Sequence, residues 1–234
     1  MSNSYFQFKQ FTVWHDKCAM KVGTDGVLLG AWTSVQHSRR ILDIGTGTGL
    51  VALMLAQRSQ SAITALEIDS QAAVQATENF GRSPWRDRVE VVVADFKQYR
   101  PDTQFDVIVS NPPYFVDSMK CPDNQRSIAR HNNDLTYDDL LRGVSVLLSP
   151  DGAFTLVIPT DAADRVKDIA QTYCLYPTQQ LDVITKPGGT PKRTLITFTF
   201  TKQECRTEEL LTEVARHQYS DAYAALTKDY YMKL

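Results

Sequence analysis

The sequence predicts an α/β fold in which a mostly parallel sheet carries helices on both faces. From residue 39 onward, short runs rich in Val and Ile alternate with longer stretches of helical composition, as in repeated strand–helix–strand units. The final two runs are separated by Lys186-Pro-Gly-Gly-Thr-Pro, which is too short for a crossover helix. We therefore expect a parallel sheet with one antiparallel strand near its C-terminal end.

Seven strands and two of the intervening helices can be placed from this pattern. The predicted strands lie near Arg40 to Ile44, Ala62 to Glu67, Val89 to Ala94, Phe105 to Ser110, Ala153 to Ile158, Gln180 to Thr185 and Thr194 to Phe200. Leu50 to Arg58 has the length and composition of a helix, and Asp69 is the predicted N-cap of the next one. Each of these helices directly follows a strand, as a parallel sheet requires.

Both ends of the chain add elements to this sheet. Ahead of the first strand, four apolar residues are spaced as in a strand or hairpin: Phe6, Phe8, Phe11 and Val13. A helix is predicted from Val27 to Trp32, and another within the tail from Glu208 to Leu234. Four tyrosines near the end of the chain are interpreted as packing residues: Tyr219, Tyr223, Tyr230 and Tyr231.

Composition limits the class of protein. A chain of 234 residues with 43% hydrophobic and 22% charged residues fits one globular domain. No apolar run approaches the length of a spanning helix and no signal-peptide pattern is present, so we expect a cytoplasmic protein without a membrane partner. The four cysteines are scattered without a C-x-x-C pair, so neither a disulfide framework nor a bound metal is expected: Cys18, Cys121, Cys174 and Cys205.

A glycine-rich turn follows the first predicted strand and opens a helix. Gly45, Gly47 and Gly49 lack a Cβ atom, which allows tight turning and lets a ligand lie close to the backbone. A phosphate-binding P-loop is excluded because no Lys-Ser or Lys-Thr follows the last glycine. Alone, such a loop is a weak signal for any particular cofactor.

Three acids are predicted at the carboxyl ends of three successive strands. Asp43 lies in the first, Glu67 ends the second, and Asp95 follows the third. An acid at the position of Glu67 can accept hydrogen bonds from both hydroxyls of a ribose, which indicates an adenosine cofactor. Asp95 would be placed to accept a hydrogen bond from an adenine amino group. The alternative is that the glycines only form a tight turn and the acids only cap helices.

The three segments together resemble the cofactor motifs of class I S-adenosylmethionine methyltransferases, a Rossmann-like family. These segments are Asp43-Ile-Gly-Thr-Gly-Thr-Gly, Leu66-Glu-Ile-Asp and Ala94-Asp. The resemblance implies a seven-stranded sheet and S-adenosylmethionine as the cofactor. By resemblance, Gly45 and Gly47 face its methionine portion, whereas Glu67 binds the ribose and Asp95 the adenine. The implied cofactor site also includes Asp43, Thr46, Gly49 and Asn111.

The tetrapeptide Asn111-Pro-Pro-Tyr114 follows the fourth strand at the same edge of the sheet. An exocyclic amino nitrogen is a poor nucleophile because its lone pair is delocalised into the ring. The Asn111 side-chain oxygen and the Pro112 carbonyl can accept hydrogen bonds from its two N–H groups, while Tyr114 supplies a stacking face. The catalytic set is therefore Asn111, Pro112 and Tyr114. The alternative is ordinary turn chemistry, with Tyr114 as a packing residue.

The motif favours nitrogen as the methyl acceptor but leaves several substrates open. Methylation at carbon 5 of a pyrimidine requires a Pro-Cys nucleophile, whereas this chain has Pro112-Pro113. Similar motifs occur in methyltransferases acting on adenine, on guanine and on release-factor glutamine. The glutamine enzymes have an additional helical domain, and many DNA adenine enzymes have a target-recognition domain, for which this chain has no room. A compact enzyme acting on structured RNA remains.

Segments outside the core narrow this class further. Phe8-Lys-Gln-Phe, the block from Met20 to Trp32, Ser127-Ile-Ala-Arg-His and Leu135-Thr resemble the bacterial tRNA(Val) adenine-37 N6-methyltransferase family. The resemblance runs over the whole chain and implies a single domain, in which residues 1–38 cover the cofactor site and residues 39–234 form the core and tail. It adds four residues next to the cofactor, which are Lys21, Gly23, Thr24 and Asp25. The alternative is that these residues only form a hairpin and do not contact the cofactor.

The implied RNA partner requires contacts to a base and to phosphates. The methylated adenine has to leave its stack and be held against an aromatic ring such as that of Tyr114. The candidate RNA contacts are Pro113, Tyr114, Arg126, Arg130, Lys192 and Arg193. For the four basic residues, the alternative interpretation is ordinary surface charge. No obligate protein partner is evident. An NAD-dependent oxidoreductase and a non-catalytic RNA-binding module are the out-of-class alternatives, and neither explains Asn111-Pro-Pro-Tyr114.

Overall fold

The computed structural model describes residues 4–17, 21–112, 135–216 and 218–233. Its main sheet has eight strands in the order β10-β8-β9-β7-β6-β3-β4-β5. These strands are β3 (Arg40–Ile44), β4 (Ala62–Glu67), β5 (Val89–Val93), β6 (Phe105–Ser110), β7 (Leu148–Pro159), β8 (Tyr176–Ile184), β9 (Arg193–Thr199) and β10 (Arg206–Leu211). All seven predicted strands are present, and the predicted α/β class is confirmed.

One strand of this sheet runs against the others, as the short connection in the sequence indicated. β9 is antiparallel to both of its neighbours, β7 and β8, while the remaining pairs in the sheet are parallel. The predicted sheet lacked β10, which pairs with β8 at the edge. The sequence Arg206-Thr-Glu-Glu gives no strand signal because these side chains are exposed at an edge and do not alternate in polarity.

The sheet is covered on both faces because its inner strands alternate between two apolar clusters. Ile41 and Val107 face one cluster, whereas Leu42 and Ile108 face the other. The α-helices within the described ranges are α1 (Thr24–Trp32), α2 (Leu50–Arg58), α3 (Ser70–Gly81), α4 (Tyr137–Leu147), α5 (Ala163–Thr172) and α6 (Asp221–Thr227). Helices α1, α2, α3 and α6 contribute to the first cluster, and α4 and α5 to the second.

The two ends of the chain pack together on the first face. β1 (Tyr5–Gln7) and β2 (Thr12–Trp14) form the predicted N-terminal hairpin, and a further pair of short strands, β11 (Glu213–Ala215) and β12 (Gln218–Tyr219), precedes α6. The Lys9 N–H donates to the Tyr230 carbonyl at 2.8 Å. Tyr223 and Tyr230 are buried as predicted, whereas Tyr219 packs its ring against Tyr223 and is still 42% exposed.

The register of the sheet brings the carboxyl ends of its central strands to one level. Ile44 at the end of β3 pairs with Leu66 in β4 and with Ser110 in β6. The next residue of each strand is therefore at the same edge, which places Gly45, Glu67 and Asn111 side by side. This edge is where parallel α/β sheets bind their ligands.

Gly49 provides a test of the packing between the glycine turn and α3. Its φ is +83°, and a Cβ atom there would lie 2.3 Å from Cε1 of the buried Phe80. We expect Gly49→Ala to lower the free energy of unfolding by about 2–4 kcal/mol, from left-handed strain plus overpacking. The control is Gly188→Ala, with φ +72° and no atom within 4 Å, which should cost about 1–2 kcal/mol of strain alone. Equal losses in urea unfolding would contradict this account.

Candidate cofactor and catalytic site

The glycine turn is held to the end of the neighbouring strand by its backbone. The N–H groups of Gly45 and Thr46 donate to the Leu66 carbonyl at 2.9 and 3.0 Å. Gly45 and Gly47 have φ values of +72° and +57°, and a Cβ atom at either would meet nothing within 4 Å. The turn therefore presents bare backbone to open space, which is what a closely bound ligand needs.

Glu67 joins this turn to the loop that follows its own strand. Its Oε2 accepts a hydrogen bond from the Gly47 N–H at 2.8 Å. Its Oε1 accepts from the N–H groups of Ile68 and Asp69, both at 2.9 Å. A carboxylate has about four acceptor sites, so three bonds leave one for a ligand. Ile68, directly after Glu67, is 62% exposed and offers an apolar surface at the same edge.

Asp43 is the buried acid beneath the glycine turn. Its side chain is 1% exposed, and its Oδ2 accepts from the Thr46 hydroxyl at 2.6 Å. Burial raises the pKa of Asp43 to about 7, against the lowering effect of the hydrogen bonds from Thr46 and Ala52. The hydroxyl bond fixes the turn, and the raised pKa lets this carboxyl change charge near neutral pH.

A cavity of about 330 Å³ lies over this turn. It contains ten of the residues named from the sequence, which are Lys21, Gly23, Thr24, Asp25, Asp43, Gly45, Thr46, Gly47, Asn111 and Pro112. Sequence reasoning missed four others in its wall, Gly26, Thr48, Leu50 and Val51. Gly26 belongs to α1, Thr48 to the glycine turn, and Leu50 and Val51 to the start of α2. In the sequence, the composition of these segments indicates only a helix and an apolar core.

Three predicted cofactor residues lie outside the wall of this cavity. Gly49 packs against Phe80, so its role in the structure is to let the turn enter α2. Glu67 reaches the cavity through its bond to Gly47. Asp95 caps a short 3-10 helix by accepting from the Lys97 N–H at 2.9 Å.

The residues predicted to contact RNA divide into two groups. Lys192 and Arg193 lie in the wall of a second cavity, which shares Thr24 and Asp25 with the first. The Arg193 Nε donates to Asp25 Oδ2 at 2.9 Å in a salt bridge that links the start of β9 to α1. The other four lie outside the described residues: Pro113, Tyr114, Arg126 and Arg130.

Within residues 4–17, 21–112, 135–216 and 218–233, no group of three or more His, Cys, Asp or Glu side chains could hold a metal ion. In the same described part of the chain, no helix has both the length and the apolar character needed to cross a membrane.

Comparison with known proteins defines the class. Residues 21–161 match the family model of the methyltransferase small domain. A predicted O-methyltransferase from Agrobacterium tumefaciens superimposes with a TM-score of 0.67 at 20% identity, covering 88% of this chain and 96% of that one. A glycopeptide N-methyltransferase complexed with S-adenosylmethionine gives 0.56 at 17% identity, covering 78% and 90%. The protein is thus a methyltransferase with the predicted Rossmann-like fold.

Relatives of similar length identify the family. Three are named tRNA1(Val) (adenine(37)-N6)-methyltransferase: that of Bacteroides thetaiotaomicron is 70% identical over 100% of both chains, that of Phocaeicola vulgatus 52% over 100% of both, and that of Aeromonas hydrophila 47% over 99% of both. The chain belongs to the tRNA1(Val) (adenine(37)-N6)-methyltransferase family. The resemblance stated from the sequence is confirmed.

The raised pKa of Asp43 predicts a pH-dependent stability. The unfolded value is 3.8 and the folded value about 7, so between them the folded state binds more protons and the free energy of unfolding falls as pH rises. Asp43→Asn lacks this group and should gain stability relative to the parent protein between about pH 5 and about pH 8. Urea unfolding of both proteins at the two pH values measures this change. A stability difference that stays constant with pH would contradict it.

Proposed function

We propose that this protein transfers a methyl group from S-adenosylmethionine to the N6 amino group of adenine 37 in tRNA(Val). The observation that carries the proposal is the position of Asn111 and Pro112 in the wall of the cavity over the glycine turn. Full-length relatives at up to 70% identity, named for this reaction, support it. We also propose that the chain works as one domain in the cytoplasm, with residues 1–38 bordering the cofactor.

The residues over the glycine turn fit the cofactor. S-adenosylmethionine supplies an electrophilic methyl group on a positive sulfonium. The open backbone at Gly45 and Gly47 would hold its methionine portion, and the remaining acceptor site of Glu67 would bind a ribose hydroxyl. Asp95 follows β5 at the same edge and would meet the adenine amino group, while Ile68 would cover the adenine ring. Lys21 to Asp25 would close the opposite side.

Asn111 and Pro112 would activate the target nitrogen. β6 delivers them in register with Gly45, and the Ser110 hydroxyl donates to the Ile44 carbonyl at 3.1 Å, which ties the two strand ends together. The Asn111 oxygen and the Pro112 carbonyl would accept hydrogen bonds from the two N–H groups of the adenine amino group. Such bonds draw the nitrogen toward tetrahedral geometry and free its lone pair for attack. The surplus proton can then leave to water, so no strong base is required.

The direct test is to incubate the purified protein with methyl-labelled S-adenosylmethionine and tRNA that lacks the modification. Digestion and nucleoside mass spectrometry should find labelled N6-methyladenosine, and fragment mapping should place it at position 37 of tRNA(Val). Label in rRNA or in a release factor, with none in tRNA, would contradict the substrate assignment. Preferential binding of NAD over S-adenosylmethionine would contradict the reaction class.

Asn111→Ala should separate catalysis from cofactor binding. Loss of one positioned hydrogen-bond partner lowers kcat by about 100- to 1000-fold. The Kd for S-adenosylmethionine should rise by at most about tenfold, the value of a single hydrogen bond. Asn111→Asp keeps an oxygen acceptor and is the matched control, which should retain more activity than the alanine variant. Steady-state kinetics and calorimetric titration measure the two quantities.

A different result would change the assignment of Asn111. If Asn111→Ala lost cofactor binding as severely as turnover, the residue would belong to the cofactor site alone. If the variant kept full turnover, the activation of the amino group would have to come from other residues.

A further inference from the structure

The second cavity, of about 300 Å³, borders the cofactor cavity. The first turn of α1 separates the two, because Thr24 and Asp25 line both. A ligand in the second cavity would thus be a close neighbour of one over the glycine turn. The rest of its wall is formed by Leu28, Val183, Thr185, Lys192, Arg193, Thr212, Glu213, Tyr219, Tyr223 and Tyr231.

Three tyrosines give this cavity an aromatic side. The Tyr219 ring lies 5.0 Å from the Tyr223 ring at an interplanar angle of 32°, so one face of Tyr219 is supported from behind. Tyr223 is buried and its hydroxyl lies 3.2 Å from that of Tyr231. Burial raises the pKa of both Tyr223 and Tyr231 above the ordinary phenol value, which already lies far above physiological pH. Tyr219 therefore offers a half-exposed ring with a fixed orientation.

Two cations also line this cavity. Lys192 is exposed, while Arg193 is held by its bond to Asp25 and by a second bond to the Lys192 carbonyl at 2.8 Å. Arg193 is therefore fixed in place before any ligand binds. Proteins bind single-stranded nucleic acid by stacking its bases on aromatic rings and by placing cations near its phosphates. This cavity offers both, with the Tyr219 ring for a base and Lys192 and Arg193 for a phosphate.

We propose that the second cavity binds the unpaired nucleotide next to the methylated adenine, with its base stacked on Tyr219 and its phosphate near Lys192 and Arg193. The inference deepens the proposed function and rests on it. Turning an adenine out of the anticodon loop leaves its neighbour without a stacking partner, and this loss opposes the opening of the loop. Tyr219 replaces the lost stacking surface, which lowers the cost of presenting the adenine to Asn111.

The test compares two tyrosines that are alike except for their position. Tyr219 is 42% exposed and Tyr5 is 41% exposed. The Tyr5 ring is also supported by an aromatic neighbour, Trp14, at 4.9 Å and 43°. Tyr5 belongs to the N-terminal hairpin and lines neither the second cavity nor the cavity over the glycine turn. Replacement of each by alanine therefore removes a tyrosine of similar exposure from two different places.

Fluorescence anisotropy measures the binding of the tRNA(Val) anticodon stem-loop to protein saturated with S-adenosylhomocysteine. Tyr219→Ala should raise the Kd by about tenfold or more, the effect of losing one base–aromatic stack. Tyr219→Phe keeps the ring and should bind as the parent does, as should Tyr5→Ala. A 2-aminopurine placed beside the target adenine should be quenched on binding to the parent and to Tyr219→Phe, but not to Tyr219→Ala.

The outcomes distinguish this inference from the proposed function. The inference is overturned if Tyr219→Ala binds the RNA as tightly as the parent does, or if Tyr5→Ala loses as much affinity as Tyr219→Ala. In either case, methylation of tRNA by the parent protein would still uphold the proposed function. Absence of N6-methyladenosine after incubation of the parent protein with tRNA overturns both. A loss of affinity and of quenching confined to Tyr219→Ala supports the second cavity as the site of the neighbouring nucleotide.

Discussion

The proposed cofactor site depends on the carboxylate of Glu67, which holds two loops in one arrangement. It accepts hydrogen bonds from the N–H groups of Gly47, Ile68 and Asp69, so the glycine turn after β3 and the loop after β4 cannot move independently. Hydrogen bonds to a charged acceptor contribute about 1.5–3 kcal/mol each, more than those between neutral groups. Because Glu67 is only 8% exposed, water competes poorly for these bonds. A single acid thus fixes the backbone that a ligand would contact.

The sheet makes this arrangement possible by its register. Parallel pairing of β3 with β4 and β6 aligns the three strand ends, and the two apolar clusters hold the sheet between its layers of helices. The polar residues beyond the strand ends therefore meet at one edge. The strand ends themselves are joined across 66 positions of sequence by the hydrogen bond from the Ser110 hydroxyl to the Ile44 carbonyl. Packing fixes the strands, and the loops between their ends then determine the chemistry.

Much of this could be predicted because the signals are local. Neighbouring residues in the sequence are enough to predict the alternating strands and helices, the glycine turn and the short connection before Arg193. The edge strand β10 could not be predicted, since its exposed Arg and Glu side chains carry no strand pattern. The role of Gly49 depends on its contact with Phe80. The exposure of Tyr219 depends on how the tail of the chain folds back. Such contacts between distant segments leave no mark in the local sequence.

A crystal structure of the protein with S-adenosylhomocysteine would test the central claim most directly. The account predicts a ribose hydroxyl within hydrogen-bonding distance of a Glu67 oxygen, with the homocysteine portion along the backbone of Gly45 and Gly47. Asn111 should then lie next to the sulfur, where the methyl group would be transferred. A nucleoside bound away from Glu67, or in the cavity lined by Tyr219, would contradict the account.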